Sequence, residues 1–120
     1  MLYAGMVPAG EYLQLSNFTD HIIQDLYFTF EDAPITKVRK IKAHGDENFM
    51  IFTANLKKDY DLIFYFGEDE NRKIIFPNAV KKMKQEKTWS YFFGKIIEQE
   101  GVLTIIEDEE AKAAYFSKYE

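Results

Sequence analysis

Two knots of acid carry the side chains in this sequence best suited to chemistry. Glu68, Asp69 and Glu70 stand in LIFYFGEDENRKIIF, and Glu107, Asp108, Glu109 and Glu110 stand in VLTIIEDEEAKAAY. Clustered carboxylates can hold calcium, grip a ligand, or present to a basic partner the negative charge of a phosphate backbone. Neither knot has the Asp-rich calcium loop with its obligatory Gly and closing Glu. The first reads as a solvated hairpin tip. The second reads as the acid-rich first turn of a helix, where negative charge is favourable against the helix dipole.

The other reactive side chains are scattered. His21 and His44 lie far apart with no HExxH spacing. Ser16, Ser90 and Ser117 are outside any GxSxG elbow. There is no Gly-rich phosphate loop. Glu110 and Lys112, after the apolar run VLTII, give half of a metal-dependent nuclease pattern without its partner Asp, and read as a helix-surface ion pair. There is no cysteine, which excludes disulfides, thiolate nucleophiles and Cys-based zinc sites. No catalytic, cofactor-binding or metal-ligating residue is assigned, and the expectation is a protein that is not an enzyme and needs no cofactor.

A chain of 120 residues, 47% hydrophobic and 29% charged, is expected to form a single domain over 1–120 with its own core. Aromatic residues are the outlier at 17%, with eleven Phe and eight Tyr. That surplus points to a contact patch or a lined pocket in addition to a core. The segment MLYAGMVPAGEYLQL lacks the basic and apolar regions of a signal peptide, and no apolar stretch is long enough to span a bilayer. A cytoplasmic protein without membrane contact is expected.

The net charge of −5 is unevenly spread. Residues 1–34 carry five acids and no Lys or Arg, and residues 96–120 carry seven acids against Lys112 and Lys118. Between them lie two basic strips, 37–42 and 72–87, which include Lys37, Arg39, Lys40, Lys42, Lys81, Lys84 and Lys87. Two such strips on one side could contact nucleic-acid phosphates. The negative total favours instead mutual neutralisation on a solvated surface.

The elements that must position these residues follow from periodicity. EYLQL (11–15) alternates as a short strand, and the capping residues around FTDHII predict a short helix near 19–25. YFTFE, ITKVRKIKA (35–43), FMIFTANL (49–56), LIFYF (62–66) and KIIF (73–76) read as strands with short turns between them. Pro77 is expected to stop the sheet. From 79 to 100 the stripe Trp89, Phe92, Phe93, Ile96 and Ile97 has helical spacing, with Gly101 as its stop. VLTII is a further strand, and 108–118 a short C-terminal helix. The fold expected is α+β: a curved antiparallel β-meander of about five to seven strands packed against a helix at 79–100. LIFYF, apolar on both faces, is expected to be covered on both sides.

The segment VPAGEY (7–12) resembles the corresponding turn of GyrI-like effector-binding domains. That resemblance covers six residues and implies an aromatic pocket with a buried carboxylate for lipophilic cations. The long helix which that family places next has no counterpart after FTDHIIQDL. The function expected from the residues is non-enzymatic binding of another macromolecule, a protein first of all, of the inhibitor, immunity or phage and mobile-element accessory type. Glu68, Asp69, Glu70 and Glu107 to Glu110 would then face the partner. The alternative is a small-molecule domain with a pocket between sheet and helix walled by Tyr12, Tyr65, Trp89 and Phe93.

Overall fold

The structure is a computed structural model that describes residues 10–30, 33–53, 56–67, 72–82 and 89–118. It is mostly β, with two four-stranded sheets and one short helix. The first sheet has the order β4-β1-β7-β8, built from β1 (Gly10–Asn17), β4 (Asp46–Phe52), β7 (Trp89–Gln99) and β8 (Val102–Glu107). The second has the order β3-β2-β5-β6, from β2 (Leu26–Phe30), β3 (Thr36–Lys37), β5 (Tyr60–Phe66) and β6 (Lys73–Val80). The helix α1 spans Glu109–Ser117.

Alternation decides which way β1 faces. Glu11, Leu13, Leu15 and Asn17 are buried, while Tyr12, Gln14 and Ser16 between them are only half-buried. β1 lies between β4, to which it is antiparallel, and β7, to which it is parallel. In the second sheet Leu62 and Phe64 of β5 point inward beside Leu26 and Phe28 of β2. The two inner faces meet ring to ring. Phe92 lies 4.8 Å from Phe76 and 6.2 Å from Phe64, and Phe28 stacks on Phe49 at 4.7 Å.

Several sequence expectations are corrected here. No helix occupies the described part of 79–100. Residues 89–99 are the longest strand among the described residues, 79–80 end β6, and 83–88 lie outside the described residues. The apolar stripe is shared between two faces: Phe92, Gly94 and Ile96 point into the core, while Tyr91 and Phe93 point outward beneath α1. Gly101 does not end a helix. It forms with Glu100 the two-residue turn of the β7–β8 hairpin, both at positive φ (79° and 53°), a conformation whose twist suits a tight hairpin.

The helix near 19–25 is also absent. Buried Asn17 organises that segment instead: its Oδ1 accepts from Thr19 N and Oγ1, and its Nδ2 donates to the carbonyl of His21 at 2.7 Å. Ile23 then bridges to Ile41. The caps found in the sequence thus serve a turn. The meander is realised only in part, because β4 pairs with β1 and not with its chain neighbours. ITKVRKIKA contributes only Thr36–Lys37 as strand. LIFYF is covered by the first sheet on one face, and Ile63 and Tyr65 on the other are half-buried. Nor does Pro77 stop the sheet. β6 runs on to Val80, an edge strand that tolerates proline, and a register irregularity lies opposite at Tyr60/Leu62. The C-terminal helix matches its expected position.

Gly94 is where the sheets admit no side chain. A β-carbon there would lie 3.0 Å from Leu15 Cδ2, 3.0 Å from Phe92 Cε1 and 3.2 Å from Ile105 Cγ2. Gly94→Val is expected to destabilise the fold by about 1–3 kcal/mol through overpacking. Gly94→Ala is the contrast to measure beside it by urea titration, since the larger side chain meets more of these neighbours. A loss that does not grow from Ala to Val would contradict this packing.

Candidate functional site

The outer face of the first sheet gathers the aromatic surplus. Tyr12 on β1 stands opposite Met50 on β4 and opposite Tyr91 on β7. Its ring lies 6.0 Å from Tyr91, 6.1 Å from Phe93 and 6.0 Å from Tyr115 of α1. Phe116 meets Tyr91 edge-on at 5.1 Å. The helix covers the β7 side of this face and leaves the β4 side open, so that Met50 is 58% exposed and Phe52 63% exposed. Phe52 stands opposite Gly10, which offers no side chain to shield it. Exposed apolar surface therefore runs from Phe52 to Met50 and meets the half-buried Tyr12 at the edge of α1, where Phe116 is also exposed.

α1 is held to the sheet by Asp108. Its backbone N–H donates to Phe93 O at 2.8 Å, and its Oδ1 accepts from Ala111 N at 2.9 Å as an N-cap. Asp108 is buried, so of the second acid knot only Glu107, Glu109 and Glu110 face solvent, at one border of the aromatic face. The knot Glu68, Asp69 and Glu70 lies outside the described residues.

Of the four residues expected to wall a pocket, the structure brings Tyr12 and Phe93 together, beneath α1. Tyr65 lies on the second sheet, opposite Tyr27 and Lys73. Trp89 pairs through its backbone with Gly10, and its side chain is outside the described residues. The basic strip 37–42 is partly matched by acids. Arg39 binds Glu47 at 2.7 Å and Lys37 lies 3.8 Å from Asp25, while Lys40 and Lys42 are exposed. In the strip 72–87, Lys81 lies 3.5 Å from Asp59, and Lys84 and Lys87 are outside the described residues. The histidines stay apart: His44 pairs with Asp20 at 2.8 Å and His21 is exposed.

A second polar feature was not anticipated from the residues. Glu11 is fully buried on the inner face of β1. Its Oε1 accepts from Ser90 Oγ at 2.7 Å and from Lys81 N at 2.9 Å. Among the described residues, its Oε2 and the buried Thr53 Oγ1 have no hydrogen-bond partner. Burial raises the Glu11 pKa above its ordinary 4.5, against the lowering effect of these hydrogen bonds and of the Lys81 charge. Asp59, which shares Lys81, moves the other way, its pKa lowered chiefly by the hydrogen bond from Lys82 N. Lys81 and Ser90 also line a cleft of about 460 Å³ together with Tyr91, Glu107, Lys112 and Phe116. The carboxyl thus sits directly behind a cleft wall. One signal in the sequence marks it: in EYLQL, strand alternation puts Glu11 on the same face as Leu13 and Leu15.

Comparison with protein-family models, with curated proteins and with solved structures found no match. Among the described residues, no helix is long and apolar enough to cross a membrane.

Proposed function

We propose that this protein binds another protein through the outer face of its first sheet. The observation that carries this reading is the exposed pair Phe52 and Met50, which adjoins the half-buried Tyr12 at the edge of α1. Contiguous apolar patches of this kind are uncommon on the surface of proteins that act alone, and they mark contact sites. Tyr and Phe give much contact area for little loss of side-chain freedom, which suits them to the centre of an interface. Glu107, Glu109 and Glu110 at the border would steer a partner with basic residues around its own apolar patch.

The test places a photo-crosslinking residue at position 52, and in a second protein at position 75. Ile75 is also exposed but lies on the other sheet. A partner is expected to crosslink from 52 and not from 75. Met50→Glu with Phe52→Glu is expected to weaken binding of that partner by about 100-fold or more while leaving the fold intact, since both residues are exposed. Equal capture from both positions, an unaffected double variant, or crosslinks only between copies of this chain would overturn the reading.

A further inference from the structure

Of the four strands at the sheet edges, three carry a feature that discourages pairing with another chain. β3 is two residues long, β6 holds Lys73, Pro77 and a register irregularity, and β4 opens with Asp46 and Glu47. β8 differs. Its residues 102–106 read VLTII, without charge or proline, and its ladder with β7 runs without interruption. Among the described residues, nothing pairs with β8 on its far side. α1 follows β8 but packs over Tyr91, Phe93 and Tyr12, away from this edge. Val102 and Ile106 share the outer face and are 50% and 37% exposed.

We infer that two copies of this chain pair through β8, antiparallel about a two-fold axis at Thr104, and so join two four-stranded sheets into one of eight strands. In a symmetric contact every pairing occurs twice, so the strand must be complementary to itself. An axis placed on a residue keeps each side chain on its own face of the sheet. About Thr104, Val102 of one copy meets Ile106 of the other on the outer face, Leu103 meets Ile105 on the inner face, and Thr104 meets its counterpart. Each exposed residue gains an apolar partner, and the inner pair extends the buried row in which Ile105 already lies opposite Ile96. Glu107 falls opposite Gly101, beyond these five positions, where no side chain confronts it. The neighbouring registers fail. An axis at Ile105 sets Leu103 against Glu107 and Val102 against Asp108, and an axis at Leu103 sets Ile106 against Glu100. Self-complementarity in one register names a second copy as the occupant of this edge.

The chain has no cysteine, so single introduced thiols report this register. Facing residues of an antiparallel pair stand about 4.5–5.5 Å apart at Cα, within disulfide range. Thr104→Cys is expected to give a covalent dimer on mild oxidation. Val102→Cys and Ile106→Cys are expected to crosslink when mixed and not when oxidised alone. By sedimentation velocity the unaltered chain should pass from monomer to dimer with rising concentration. Val102→Lys with Ile106→Lys, both at exposed positions, sets lysine against lysine twice and is expected to weaken the dimer about 10-fold or more. Val102→Lys with Ile106→Glu sets lysine against glutamate and should retain it. A monomer at every concentration overturns the inference. So does a Thr104→Cys protein that fails to crosslink, self-crosslinking at 102 or 106, or a dimer that the two-lysine variant leaves unchanged. Position 52 lies on β4 at the opposite edge of the same sheet, so this dimer leaves the proposed protein-binding face free and each result stands without the other.

Discussion

Phe64→Ala is expected to remove about 3–5 kcal/mol of stability, the largest loss for any single side chain described here. Phe64 is fully buried at the centre of the second sheet. Its ring meets Phe76 edge-on at 5.9 Å, and Phe28 and Phe92 at 6.3 and 6.2 Å. Truncation forfeits the transfer energy of the ring, these ring contacts and the packing of the space left between two sheets that cannot collapse onto it. Urea unfolding should show a lower midpoint with an unchanged slope. Phe52→Ala is the internal control, because Phe52 is mostly exposed and its truncation should change stability little. If the two variants lose the same amount, the division of aromatic residues between core and outer face is wrong.

Glu11→Gln is expected to stabilise the protein at neutral pH by about 1–3 kcal/mol. The amide oxygen keeps the two hydrogen bonds from Ser90 and Lys81, and the buried charge is gone. The sign of the pH dependence follows from the raised pKa. The folded protein holds its Glu11 proton more tightly than the unfolded chain does. The stability this contributes is fully present below pH 4.5, the ordinary value, and is lost as pH rises through the folded-state value. Asp59 has the opposite sign: its contribution is present above its ordinary 3.8 and lost as pH falls through the lowered value. Subtracting the variant's melting curve from the parent's at each pH isolates Glu11. The difference should grow from pH 4.5 upward and then level off. A difference that stays flat across this range would show that the carboxyl is not held as a buried acid.

What could be read in the sequence divides along one physical line. β5, most of β4, the first half of β6, β8 and the C-terminal helix follow from alternation, turns and caps that act locally. The segment 89–99 does not, because WSYFFGKIIEQ buries side chains on both faces. Phe92 and Ile96 enter the core while Tyr91 and Phe93 pack under α1, and two strand faces summed together mimic one helical stripe. Its aromatic and β-branched content was the better guide. The pairing of β1 with β4 and β7 could not be read at all, since nothing local to any of them encodes it. At the candidate site, the aromatic surplus is divided between the core and the outer face of the first sheet. Tyr12 and Phe93 share a face because their strands do, and Tyr65 is excluded because β5 belongs to the other sheet. Asp108 was grouped with its acidic neighbours by type, whereas its place just before the helix gives it the separate work of a cap.

The parallel ladder between β1 and β7 has a consequence for the order of assembly. β1 is made well before β7, with Leu13 and Leu15 ready for burial, yet Asn17 finds its ladder partner only when Ile96 has been made. The second sheet uses nothing beyond Val80 and can close first. A nascent chain would then carry a finished half and a waiting strand, and the late closure of such distant contacts makes folding slow and leaves apolar residues open to chaperones meanwhile.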